Sequence, residues 1–320
     1  MPLFIEELTK SVVESGILTK AGDHYSVAGP TAPLAIPTTL QASLLARLDR
    51  LAPTREVAQI GAALGRSFSH EVISAVAQTQ QQRVDDALEQ LVNAELIFRR
   101  GTPPDAEYTF KHALVQDAAY GTLRRSRRQQ LHARIASTLE SQFPDVVETQ
   151  PELLGRHFGE GGFEEKAIAY FTIAGERAVK RGANAEVIRH FHRALELLQG
   201  RPETAERSKA ELKVLEKLGP ALAAAHGFGA PEIERTYLRA RDLCEQLGEP
   251  VELFRALWGL WLATVGRERW EAARPIADEL FAVAHRLDDR ALLLEAHHAM
   301  CPTTLWVGNH RPREFTASKE

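Results

Sequence analysis

From His112 to about Leu305 the apolar residues return at helical spacing, and only short breaks separate the runs. Leu131, Ile135, Leu139 and Phe143 recur every four residues, which places them on one face of a helix. The breaks fall near Gly161-Gly162, Gly182, Gly200–Pro202, Gly227–Pro231, Gly248–Pro250, Gly266 and Asp288-Asp289. Glycine and proline end helices, so from about Pro151 the pattern predicts a series of antiparallel helices with tight connections. Beyond residue 307 the periodicity stops, and Gly308, Asn309, Pro312 and the polar end Thr316–Glu320 predict a disordered tail over 307–320.

The first hundred residues are less uniform. Residues 3–18 predict an amphipathic helix with Leu3, Phe4, Leu8, Val12 and Ile17 on one broad face. That helix starts at the chain's first residues with no cap, which reads as a piece of something longer. Residues 19–37 read as a loop with a short strand around His24–Val27. Thr38 or Thr39 caps a helix that reaches Leu51, and Pro53 opens another that stops at Gly65. Ser69 caps a short helix to Ala77, and a further helix runs from about Gln81 to Ala94. The period then falls to two. Leu96–Arg100 and Glu107–Phe110 predict strands on either side of a Gly101/Pro103/Pro104 turn. Three helices followed by a β-hairpin make a winged-helix pattern.

Within the helical part, paired helices of roughly 34 residues imply a solenoid. The clearest pair spans about 164–200. Phe171, Ala174, Gly175 and Ala178 lie on its first helix, and Val187, Phe191 and Ala194 on its second. Gly175 and Ala194 are small where two helices cross closely, and Phe191 fills the space beside them. Looser pairs follow at about 212–247, with Gly219, Tyr237 and Ala240, and at about 251–287, with Trp258 and Trp261. A fourth begins near Ala291 and stops after one helix. The first pair resembles a tetratricopeptide repeat, although Val187 stands where that family has a smaller residue. The resemblance implies a concave surface that holds a protein or peptide; the alternative is an irregular helical bundle without a groove.

Composition narrows the function classes. The formal net charge is −4, from 39 basic and 43 acidic residues, which gives no general attraction to nucleic acid. No stretch approaches the roughly 20 apolar residues that cross a bilayer, and no signal peptide opens the chain. Two cysteines, Cys244 and Cys301, make no disulfide framework and read as small buried side chains in a cytoplasmic protein. His190 and His192 diverge on a helix, as do His297 and His298, so no metal site is expected. There is no Gly-x-Ser-x-Gly nucleophile elbow, and Trp258, Trp261 and Trp270 read as core rather than as a ligand platform.

Four segments resemble the bacterial signal-transduction ATPases of the STAND class. Pro2-Leu3-Phe4-Ile5-Glu6-Glu7-Leu8 is similar to the lid helix that follows the ATPase core. Ile36–Gln41 with Leu44–Leu51 is similar to entry into the winged helix, and Ile60–Phe68 to its next signature. Phe110–Tyr120, running on to Arg127–His132, is the most specific. The resemblance implies a lid helix and linker over 1–35, a winged helix over 36–111, connecting helices over 112–160 and tetratricopeptide-like repeats over 161–306. Some members carry a class III adenylate cyclase ahead of the ATPase, and others end in a DNA-binding domain. The sequence departs from the class in having no Gly-rich loop ending in Lys-Ser/Thr and no apolar strand ending in paired acids. Cyclase metal-binding aspartates cannot be placed either. The expectation is therefore a chain with no catalysis and no cofactor of its own. ATP or ADP and magnesium would belong to a nucleotide-binding core ahead of Met1, and that core would itself be a partner.

Three sets of candidate residues follow. In the STAND class a histidine at the place of His112 touches the nucleotide phosphate and holds the resting state closed; the alternative is a histidine packed between the wing and the next helix. Arg124, Arg125, Arg127 and Arg128 form the one basic cluster, either a site for a phosphate or acidic partner or a solvated helix face. Phe171, Gly175, Phe191 and Ala194 are the repeat-packing set. A DNA-binding regulator using the helix near 81–94 is the competing function. There Arg83 stands against Asp85, Asp86, Glu89 and Glu95, and such a helix would be repelled by phosphates. An independent enzyme is the third class, with no convergent acid, base and nucleophile to support it.

Overall fold

The computed structural model describes residues 18–21, 24–27 and 54–310, with side chains to 308 in the continuous part. The expected helices over 3–18 and 38–51 lie outside the described residues, save Leu18. Leu18–Ala21 forms strand β1, antiparallel to β2 (His24–Val27), with Leu18 opposite Val27 and Ala21 opposite His24. The strand near His24 therefore has a partner in residues assigned to a helix end and a loop. A two-residue connection, Gly22-Asp23, suits such a hairpin.

The chain divides into two compact units, Met1–Glu148 with His157–Phe163, and Thr149–Arg156 with Glu164–Glu320. In the first, α1 (Arg55–Leu64) buries Val57, Ala58, Ile60, Ala62 and Leu64. β3 (Ser67–Ser69) leads into α2 (His70–Ala77), whose N-terminus is capped by Ser69 Oγ accepting from the Val72 amide at 3.2 Å. α3 (Gln81–Asn93) turns Val84, Ala87, Leu88 and Leu91 inward. β4 (Ile97–Arg100) and β5 (Glu107–Phe110) pair antiparallel, and β3 adds to the other edge of β5, giving the order β3-β5-β4. β3 is too short for its alternation to show in the sequence. Its register comes from Phe68 stacking on Tyr108 at 5.8 Å between ring centres. Gly61 on α1 leaves room for the same phenyl ring.

α4 (Ala113–Gly121) and α5 (Arg125–Gln142) follow, then α6 (Pro144–Thr149) and α7 (Pro151–Glu160). A buried polar chain ties this part of the first unit together. Tyr120 Oη meets His132 Nε2 at 2.8 Å, and His132 Nδ1 meets His157 Nδ1 at 2.8 Å. One of those two Nδ1 atoms must carry the proton for the contact to be a hydrogen bond.

The second unit is a solenoid-like run of antiparallel hairpins, and the described chain is mostly α-helical. α8 (Glu164–Lys180) pairs with α9 (Asn184–Gln199), α10 (Ala205–His226) with α11 (Pro231–Leu247), and α12 (Pro250–Val265) with α13 (Trp270–Leu287). α14 (Arg290–His310) packs on α13. The first helices of successive pairs also touch, α8 with α10, α10 with α12, and α12 with α14. These helices form an inner layer and the second helices an outer one. Gly248 ends α11 in the left-handed region at φ 71°, which allows the tight turn into Pro250. The core joins Leu243, Leu257, Trp261, Ala277 and Leu280 with Ala296 and Ala299.

Two expectations change here. Helix α14 carries on to His310, past residue 307, where the tail was expected to begin. Trp306 stacks on Trp270 at 5.3 Å with the rings 11° apart, a contact that orders the helix end. Cys301 is exposed, not buried, because no further described helix covers its side of α14.

Candidate functional site

The inner helices α10, α12 and α14 enclose a groove of about 830 Å³, and α11 closes its base. Its walls are mostly apolar. Pro220, Ala223 and Ala224 come from α10, Trp258 and Leu262 from α12, and Leu292 from α14. Phe254 and Ala240 are buried beneath.

At the base of the groove two glycines face one tyrosine. Tyr237 of α11 lies between α10 and α12, where a β-carbon on Gly219 would stand 2.5 Å from its ring and one on Gly259 would overlap it. Larger residues at either place would displace the ring or part the helices. Burial pushes the Tyr237 hydroxyl up to about 12, and the group makes no hydrogen bond among the described residues.

Four charged residues stand in the lining, Glu216, Lys217, Arg255 and Glu295. Lys217 Nζ donates to Glu176 Oε1 at 2.5 Å, and that contact chiefly holds the Glu176 carboxyl below its ordinary value. Arg255 lies 4.0 Å from Glu252, and Glu295 lies 3.9 Å from the His298 ring. Glu216 differs, because its Oε1 is buried with no hydrogen-bond partner among the described residues. Burial, then the charge of Glu252, pushes its carboxyl up, against the pull of Arg255 and Lys217.

The sequence-predicted residues separate into two groups. The repeat-packing set is brought together. Phe171, Gly175, Phe191 and Ala194 are all buried, and a β-carbon on Gly175 would overlap the Phe191 ring. The arginines are not one site. Arg124 and Arg125 are exposed, Arg127 pairs with Glu56 at 3.1 Å, and Arg128 lies over the Tyr120 ring at 4.2 Å. His112 is half-buried just before α4, where its carbonyl accepts from the Val115 amide at 3.0 Å. Its ring Nε2 is buried without a hydrogen-bond partner among the described residues.

The acids of α3 are partly engaged. Asp85 sits 3.2 Å from His70 Nε2, and Glu89 pairs with Arg99 of the hairpin. His297 turns to Phe281 and His298 to Trp258, so the adjacent pair diverges. The described residues contain no group of three or more His, Cys, Asp or Glu side chains placed to hold a metal ion. Among them, no helix is long and apolar enough to cross a membrane.

Sequence reasoning placed Tyr237 and Gly219 in one repeat but missed Gly259 and Glu216. Gly259 carried a usable signal, since a lone glycine inside an apolar helix points to close packing. Glu216 carried none, because an acid on a helix rich in Glu and Lys looks solvated.

Fold and groove together define a helical-repeat protein with an apolar inner surface. No family model matches the chain. It is similar to an uncharacterized protein of Rhizobium meliloti (strain 1021), with 24% identity over 314 residues, covering 97% of this chain and 30% of that protein. The chain thus spans about a third of the length of this curated relative. Among solved structures, a STAND protein with a tetratricopeptide repeat sensor from Pyrococcus horikoshii gives a TM-score of 0.38 at 10% identity, over 85% of this chain and 50% of that one. BtubC from P. vanneervenii gives 0.29 at 11% identity, over 88% and 98%.

Proposed function

We propose that this chain is the non-catalytic regulatory portion of a STAND-type signalling ATPase. In this reading the helical repeats hold a protein or peptide, and a winged helix over 36–111 passes that event to a nucleotide-binding core outside the chain. The observation that carries the reading is the groove on α10, α12 and α14, an apolar concavity built on helices rather than loops. His112 supports it as the nucleotide-sensing residue, since its buried Nε2 lacks a partner. ATP or ADP and magnesium would be held by the core. A link to an adenylate cyclase belongs to the same proposal and rests on the sequence resemblance alone. The acidic residues of α3 favour a structural winged helix over a DNA reader.

Two measurements test this. Purified 1–320 with magnesium and ATP should release neither phosphate nor cyclic AMP, and turnover above the blank overturns the non-catalytic reading. Phage-displayed random peptides panned on the chain should yield apolar ligands whose binding Ala224→Arg abolishes. Ala224 is exposed on the groove wall, so the arginine fills the groove without entering the core. Ligands indifferent to Ala224→Arg would mean that the groove is not the binding surface.

A further inference from the structure

The acceptors in the groove point to one kind of occupant. Glu216 and Pro220 lie four residues apart on α10 and both line the groove. Proline has no amide hydrogen, so the carbonyl of Glu216 does not receive the helical bond that residue 220 would normally donate. The same residue's carboxylate Oε1 is buried and has no hydrogen-bond partner among the described residues. Glu216 thus brings one buried, unpartnered carboxylate oxygen to the lining.

The surrounding charges compensate that acid only in part, since Arg255 and Lys217 attract it while Glu252 repels it. Lys217 is taken by Glu176, and Arg255 has Glu252 beside it. Glu295 on α14 adds a second acid to the lining. Trp258 provides an aromatic ring in the same lining, and such rings attract cations. A buried carboxylate oxygen without a partner is costly, and a positively charged donor relieves that cost.

We propose that the groove selects an apolar peptide segment carrying one Lys or Arg, whose cation is received at Glu216. This rests on the reading of the groove as a peptide site. The apolar residues of the segment would lie along Ala223, Leu262 and Leu292, and the cation would fix its register.

Panning of a random peptide library on the intact chain tests this, with Glu216→Gln and Ala224→Arg run in parallel. Wild-type ligands should be apolar and enriched in a single Lys or Arg. On Glu216→Gln, apolar ligands should persist while the basic enrichment disappears. Replacing the selected Lys by norleucine should weaken binding to the unaltered chain about tenfold or more, so the outcome does not depend on the variant folding. Apolar ligands without a basic residue, or equal binding of the Lys and norleucine peptides, would overturn the cation site and leave the groove standing. No ligands beyond those of Ala224→Arg would remove the groove reading, and the cation site with it.

Discussion

Glu216 is harder to ionise in the folded chain than in the unfolded one, because burial and Glu252 raise its carboxyl above the ordinary 4.5. Between 4.5 and that raised value the native state keeps a proton that the unfolded state has lost. Stability therefore falls as pH rises through this window, and the whole penalty stands above the raised value. Glu176 behaves oppositely. The hydrogen bond from Lys217 lowers its carboxyl, so its contribution is present above 4.5 and is lost as pH falls through the native value. Glu216→Gln should then raise Tm at pH 7, by an amount that shrinks toward pH 4.5 and vanishes below it. Equal Tm values at pH 7 would show that the carboxylate is relieved in the free protein. Nothing local in the sequence marks this residue. Its surroundings depend on helix α12, which follows it by tens of residues.

The packing of α14 rests in part on one buried hydrogen bond. Trp261 Nε1 of α12 donates to Thr303 Oγ1 of α14 at 3.0 Å, both side chains buried, and the threonine hydroxyl donates to the Ala299 carbonyl at 2.7 Å. Thr303→Val keeps the shape and removes the acceptor. The indole N–H is then buried unpaired, a loss of about 1–3 kcal/mol. Urea unfolding measures it, and a change within a few tenths of a kcal/mol would mean that the pair is not what holds the helix. Elements were legible in proportion to their length. Helices such as α9 and α11 show their period over four turns, and Ser69 announces the start of α2 through its own hydroxyl. β1 and β3 were not legible as strands. They have only four and three residues, and each is a strand because of its partner, β2 for one and β5 for the other.

Across the second unit every hairpin packs on its neighbours in the run, so a disturbance should stay local. Gly175→Leu drives a side chain into the Phe191 ring at the α8–α9 crossing. Amide exchange should quicken in α8, α9 and α10 and stay unchanged in α13 and α14. Uniform quickening across α8 to α14 would mean that the run unfolds as one cooperative block. The sequence by itself determined the helical content, the break positions and the close crossing at Gly175 and Phe191. Each of these follows from spacing, turn chemistry or side-chain size within one repeat. Only the tertiary structure decided that Gly219 and Gly259 meet on the two sides of Tyr237, and that Glu216 is left in a groove without a partner. Those facts concern residues on different helices, and no local period records which residues the inner layer brings together.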